Sequence, residues 1–169
     1  MVHLGSGKST TALGLSYKLK LLGYKVEYVS EWVKEKIFSE ELSIVKDQLF
    51  IFANQRRKQI ILQDKKLDFI VTDSPLLLSQ FYGEKYGTTD SLIKTVIVNE
   101  YSKFNNLNFF LQRTIPFDPI GRLENETQSD QDSKDMLVFL DIYDSNYTII
   151  DESEKTEQII KLLNLGKKS

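Results

Sequence analysis

The sequence contains no cysteine and a single histidine, His3. The lack of cysteine excludes a disulfide scaffold, cysteine-ligated zinc or iron–sulfur sites, and a thiol nucleophile. The single histidine excludes histidine-rich metal centres, and it leaves most Ser/His/Asp schemes without a base unless His3 serves as one. Carboxylates, lysines, arginines and hydroxyls are therefore the groups left to carry any chemistry.

Long apolar runs and a strong charge excess are also absent. No stretch of about 18 apolar residues predicts a membrane span, and no signal peptide is expected. The net charge of −2 predicts no global attraction to nucleic acid or acidic membranes, although a local patch could still bind either. The 169 residues suffice for one full core, and no change in composition marks a second domain. We expect one domain over residues 1–169 in a cytoplasmic protein without a membrane partner.

Hydrophobic periodicity predicts alternating helices and strands. Helices are predicted over 9–22, 31–38, 43–66, 75–85, 91–104, 130–143 and 155–163, and strands over 25–29, 68–72, 107–112 and 147–150. Residues 113–128 hold two of the three prolines and are predicted to form a long, lid-like loop. Strands joined through helices run parallel, so the predicted fold class is α/β with helices on both faces of a parallel sheet.

The most informative segment is the glycine-rich run Gly5-Ser6-Gly7-Lys8-Ser9-Thr10, which opens the first predicted helix. Backbone N–H groups of a tight glycine loop and a helix N-terminus together bind anions. In a Walker A P-loop, Lys8 would reach the β- and γ-phosphates and the Ser9 hydroxyl would bind Mg²⁺. The match is incomplete, because Val2 stands where that pattern has its first glycine. The alternative is a chance glycine-rich helix cap.

Two carboxylates follow predicted strands. Asp73 ends the apolar run 68–72, and Glu31 comes just after the strand 25–29. Ligands of open α/β sheets lie beyond the carboxyl ends of the strands, so Asp73 is a candidate Mg²⁺ ligand and Glu31 a candidate general base. The alternatives are a helix-capping turn for Asp73 and a solvated glutamate at a helix N-terminus for Glu31.

Cations and amides supply the remaining candidates. Arg113 and Arg122 lie nine residues apart in the predicted lid-like loop, where they could contact transferring phosphates; the alternative is an ordinary surface loop. Gln48 and Gln55 share one face of the predicted helix 43–66 and could read a nucleobase. Arg57, or its neighbour at position 56, could meet an acceptor phosphate. The alternative for this group is a solvated helix face.

Together these residues resemble the small P-loop kinases, and most closely the NadR-like group, which includes ribosylnicotinamide kinase domains and phage-encoded proteins. The resemblance covers nearly the whole chain. The segments that carry it are GSGKSTTALGL (5–15), SEW (30–32), QLFIFANQ (48–55), TDSPLL (72–77) and the stretch 109–122. Deoxynucleoside kinases share this order of motifs, but they follow the acidic residue with arginine where this chain has Ser74.

The resemblance implies a three-layer P-loop kinase fold, with a parallel sheet of about five strands in the order 2-3-1-4-5. It implies Glu31 as general base, Gln48 or Gln55 as base reader, Asp73 as the Mg²⁺ carboxylate, and Arg113 and Arg122 as lid arginines. Only residues 1 to about 3 are available before the glycine-rich loop as material for the first, central strand, and a strand commonly has about 5–6 residues. We therefore expect that strand to be truncated here and the native chain to start earlier.

The expected function is transfer of the γ-phosphoryl group of ATP, with Mg²⁺, to a nucleoside, a nucleotide or a similar small acceptor. Glu31 favours a hydroxyl acceptor and the arginines of the predicted helix 43–66 favour a monophosphate, so the acceptor stays open. One alternative is a kinase acting on a hydroxymethylated base in DNA, against which the net charge of −2 argues. Another is an ATPase or regulatory nucleotide-binding module, although a guanine-reading N-K-x-D is absent. A homodimer is compatible with the sequence, and a phage-encoded protein would act in the host cytoplasm.

Overall fold

Helices and strands alternate along the chain in the computed structural model, which describes residues 7–114, 116, 125–144 and 146–168. The helices are α1 (Lys8–Leu21), α2 (Val33–Phe38), α3 (Leu42–Val45), α4 (Gln48–Ile60), α5 (Leu77–Tyr86), α6 (Ser91–Tyr101), α7 (Glu126–Tyr143) and α8 (Lys155–Leu163). The strands are β1 (Val26–Val29), β2 (Phe69–Thr72), β3 (Asn108–Leu111) and β4 (Tyr147–Ile150).

The strands form two separate parallel pairs. In the first pair, Val26 of β1 lies opposite Phe69 of β2. In the second, Asn108 of β3 lies opposite Tyr147 of β4. Within the described residues no ladder joins β2 to β3; both strands, together with the inner side of α1, line a cavity of about 340 Å³.

The predicted three-layer P-loop kinase fold, with a parallel sheet of about five strands in the order 2-3-1-4-5, is therefore wrong for this structure. A continuous sheet would need backbone hydrogen bonds that join one pair to the other, either directly or through a strand between them. The described part of the chain provides neither. Residues 1–3, on which that expectation rested, lie outside the described residues. What holds of the prediction is the α/β alternation and the parallel direction within each pair.

Two hydrophobic clusters hold the elements together. The larger one gathers α5, α6 and α7 around residues such as Leu77, Ile97 and Leu140, all three fully buried. The smaller one joins the two strand pairs through α1: Leu19 contacts a cluster that includes Val26 of β1, Leu111 of β3, Ile150 of β4 and Ile159 of α8. No ladder links the pairs among the described residues, so side-chain packing connects them, on α1 in the smaller cluster and through Phe110 of β3 in the larger one.

Two element boundaries differ from the predictions for local reasons. The predicted helix 43–66 is divided into α3 and α4, because the Asp47 carboxylate accepts a hydrogen bond from Phe50 N (3.0 Å) and so caps a new helix. Helix α7 begins at Glu126, inside the predicted loop 113–128, because Asn125 and Gln128 form a reciprocal capping box there.

The helices are short or carry many charges. The longest one described, α7, has 18 residues with several carboxylates among them. Within the described ranges, no helix combines the length and the apolar character needed to cross a bilayer.

The fully buried position of Leu140 makes a stability prediction. Leu140→Ala leaves a cavity in the larger cluster and should lower the free energy of unfolding by about 2–5 kcal/mol. Val138→Ala, on the same helix but with the side chain 62% exposed, should change it by less than about 0.5 kcal/mol. Urea titration followed by circular dichroism measures both, and equal effects would show that α7 does not pack as described.

Candidate functional site

The first turn of α1 is the turn for which the sequence predicts anion binding. Gly7 precedes it with φ 78° and ψ 30°, a left-handed conformation that glycine adopts without the cost of a side chain. Lys8, Ser9 and Thr10 form the first turn, which has no side-chain cap and no acidic residue. The N–H groups and the positive end of the helix dipole at such a start favour an anion. The predicted loop residues Gly5 and Ser6 lie outside the described residues.

The carboxylate of Asp73 lies beside this turn and is almost completely buried, with 2% of the residue exposed. Asp73 Oδ2 accepts hydrogen bonds from Ser9 Oγ (2.6 Å) and Tyr28 Oη (2.9 Å). Asp73 Oδ1 accepts one from the backbone N–H of Glu31 (2.9 Å). Three donors from α1, β1 and the segment after β1 thus converge on one carboxylate at the end of β2.

This arrangement fits a Mg²⁺ site of the kind the sequence predicts. Mg²⁺ prefers hard oxygen ligands, and it is commonly held by one or two protein groups together with substrate phosphates and water. The Ser9 hydroxyl and the Asp73 carboxylate supply two such oxygens next to the anion-binding turn. Within the described ranges no cluster of three or more histidine, aspartate or glutamate side chains forms a metal cage, so any ion held here would need its other ligands from the substrate and solvent.

Tyr28 is a site residue that the sequence reasoning missed. Burial, followed by the charge of Asp73 and the hydrogen bond to it, raises the pKa of Tyr28 well above its ordinary value. The phenol therefore stays protonated and donates to Asp73. Its partner in the register is Val71, two residues before Asp73. The available signal was a tyrosine on the strand whose carboxyl end carries Glu31.

Glu31 lies in the same neighbourhood as Asp73. Besides its backbone bond to that carboxylate, its negative charge also contributes to the raised pKa of Tyr28. The predicted general base is thus brought next to the predicted Mg²⁺ carboxylate. Glu31 is partly exposed.

The two predicted base-reading glutamines have different surroundings. Gln55 Oε1 accepts from Trp32 N (3.0 Å), which ties α4 to the segment that carries Glu31. Gln48 Nε2 donates to Val45 O (2.8 Å) and so joins the start of α4 to α3. Both side chains are buried, with 2% and 4% of the residue exposed, and both amides are used within the protein. A nucleobase-reading role for either one stays a prediction.

The predicted phosphate-binding arginines also have different surroundings. Arg113, just after β3, forms ion pairs with Glu126 (Nη1 to Oε1, 3.3 Å) and with Asp130 at the start of α7. The second lid arginine, Arg122, lies outside the described residues. Arg57 is exposed on α4, whereas its neighbour Arg56 pairs with a glutamate of α6.

Comparisons with known proteins assign no family to the chain. No protein-family model matches it, and a search of curated proteins finds no significant match. The function is therefore inferred from the residues of the site.

The contact between Tyr28 and Asp73 makes a prediction about stability. Tyr28→Phe removes one of three donors to a buried carboxylate and should lower the free energy of unfolding by about 1 kcal/mol. Tyr17→Phe is the matched control, since that side chain is 63% exposed, and it should have no measurable effect. Urea unfolding of the two variants and the parent at neutral pH compares them. Identical midpoints for all three would mean that the Tyr28 hydroxyl does not support Asp73.

Proposed function

We propose that the chain is a phosphotransferase that moves the γ-phosphoryl group of ATP to a small acceptor bearing a hydroxyl group. The observation that carries the proposal is the 2.6 Å contact between Ser9 Oγ and Asp73 Oδ2. It joins the residue after the loop lysine to a carboxylate at the end of a strand, 64 residues further along the chain. A serine hydroxyl beside an aspartate at an uncapped helix start is the pairing that holds Mg²⁺ in P-loop enzymes.

The phosphate chain of the donor would bind at the first turn of α1. Its N–H groups and the Lys8 ammonium would donate hydrogen bonds to the β- and γ-phosphate oxygens. Mg²⁺, held by Ser9 and Asp73, would neutralise part of the charge on the phosphates. Phosphoryl transfer needs mainly positioning and charge neutralisation, which these groups supply.

A hydroxyl acceptor follows from the neighbourhood of Glu31. The Glu31 carboxylate would take the proton of the acceptor hydroxyl while the hydroxyl oxygen forms a bond to the γ-phosphorus. The bond from that phosphorus to the β–γ bridging oxygen breaks, and ADP leaves. A phosphate acceptor would instead need cations, and of the two arginines on α4 Arg56 is already paired with Glu100 (2.8 Å), while Arg57 is exposed. The position of Glu31 next to Asp73 is why we favour a hydroxyl acceptor.

Arg113 has no role in the proposed transfer. Two carboxylates of α7 hold its guanidinium, so a contact with phosphate would first require those ion pairs to open. Lys8 and Mg²⁺ would instead neutralise the negative charge on the moving phosphoryl group.

A phosphotransfer screen tests the acceptor class. Radiolabelled ATP would be incubated with the protein, Mg²⁺ and, separately, nucleosides, mononucleotides, DNA with hydroxymethylated bases, and buffer alone. Label on a nucleoside supports the proposal, and label on the modified DNA identifies the DNA-directed alternative. Release of inorganic phosphate that no acceptor changes indicates an ATPase module, and no turnover under any condition overturns the proposal.

Lys8→Ala should lower kcat/KM for transfer by about 100-fold or more, because it removes a positive charge from the reacting phosphates. Lys20→Ala changes an exposed lysine on the same helix and should leave transfer unchanged. Steady-state assays with ATP measure both variants. Full activity in Lys8→Ala would show that the site is assigned to the wrong residues.

Glu31→Gln should lower kcat by about 100-fold, since an amide cannot accept the hydroxyl proton, while leaving the Kd for MgATP nearly unchanged. Glu35→Gln, an exposed glutamate on α2, is the matched control and should retain activity. Single-turnover kinetics and calorimetry separate transfer from binding. Normal turnover by Glu31→Gln would remove Glu31 from the mechanism and reopen the choice of acceptor.

A further inference from the structure

Lys155 carries a buried positive charge without a negative partner among the described residues. Only 6% of this residue is exposed. Its ammonium donates to Thr114 Oγ1 (2.6 Å) and, more weakly, to Glu152 O (3.4 Å), both of which are neutral acceptors. The half-exposed Lys85, by contrast, pairs with the buried carboxylate of Asp132 at 2.6 Å.

The position of Lys155 is unfavourable for a cation in two ways. Burial removes water from the ammonium and lowers the pKa of Lys155 below its ordinary value. Lys155 is also the first residue of α8, where the helix dipole is positive and repels a cation. A side chain that served only to pack would be cheaper as an apolar residue, because buried charges without partners destabilise the folded state.

The surroundings of Lys155 place it where α8 packs beside α1. The next residue, Thr156, approaches the carbonyl of Thr11, just beyond the first turn of α1, at 3.5 Å. The hydrogen-bond partner of Lys155, Thr114, follows Arg113 just after β3. Lys155 is thus one residue away from a contact with the N-terminal half of α1 and is bonded to the segment that carries Arg113, and two of its three ammonium protons are already donated.

We propose that Lys155 is an anion-binding residue, and that its remaining proton is donated to a phosphate oxygen of the bound nucleotide. The proposal rests on the proposed function for the identity of the ligand. The charge chemistry itself requires only an anion small enough to reach the start of α1, such as pyrophosphate. The unfavourable charge in the ligand-free protein is then explained by the ligand that neutralises it.

The test compares Lys155→Met with the unchanged protein. Calorimetry with inorganic pyrophosphate and with MgATP should show Kd values for both ligands raised by about ten-fold or more, since a charged hydrogen bond is lost. The same variant, without ligand, should unfold at an equal or higher urea concentration, because a buried charge without a partner has been removed. Lys161→Met, an exposed lysine of the same helix, should change neither quantity.

A merely structural lysine would give the opposite pattern. If Lys155 serves only to tie α8 to Thr114, Lys155→Met and Thr114→Val should both destabilise the protein and leave the Kd values unchanged, which overturns the proposal. Weakened binding of MgATP with unchanged binding of pyrophosphate also overturns it, since the contact would then be with the nucleoside part. If Lys155→Met does not fold, a structural role is indicated and the proposal fails.

The failure of this proposal differs from the failure of the proposed function. Nucleotide binding and transfer that survive Lys155→Met unchanged overturn the role of Lys155 but leave the phosphotransferase intact. Pyrophosphate binding that depends on Lys155, in a protein that transfers no phosphoryl group, supports the role of Lys155 but overturns the phosphotransferase. Binding of neither ligand by the unchanged protein overturns both.

Discussion

The buried carboxylate of Asp73 is the interaction on which the candidate site depends. It is acceptor-only when ionised, and it is satisfied by donors from three other parts of the chain. An unsatisfied buried carboxylate would cost several kcal/mol, so these donors constrain one another's positions. The start of α1, the end of β1 and the end of β2 are fixed together for this reason, and Lys8 and Glu31 take their places from that constraint.

Local signals in the sequence are sufficient for much of this arrangement. Apolar periodicity gives β4 and α8 their observed bounds, and the glycine-rich run marks the start of α1. Asp73 and Glu31 are found because the carboxyl ends of neighbouring parallel strands meet at one edge, a rule that needs no detailed coordinates. The division of the predicted helix 43–66 was harder to foresee, since a single side-chain bond from Asp47 decides it.

Non-local features could not be obtained in this way. The predicted five-stranded order came from a resemblance. Strand pairing depends on contacts between distant segments, and these produce two separate pairs in the part of the chain that the structure describes. Tyr28 is an ordinary strand residue in sequence, and its role follows only from the register that brings it beside Asp73. Lys155 likewise has the pattern of a solvated helix-start lysine until the packing of α8 on α1 buries it.

Among the described residues, side chains rather than a backbone ladder join the two strand pairs, and this has a mechanical consequence. Backbone ladders resist sliding because hydrogen bonds break together, whereas apolar side chains can slide over one another by small steps. Packing on α1 connects the pair that carries Asp73 with the pair that leads into Arg113 and Lys155. A shear of one pair against the other would therefore alter the spacing of oppositely charged groups across the site. A polyanion bound to both pairs would act as a cross-link, converting a deformable joint into a rigid one.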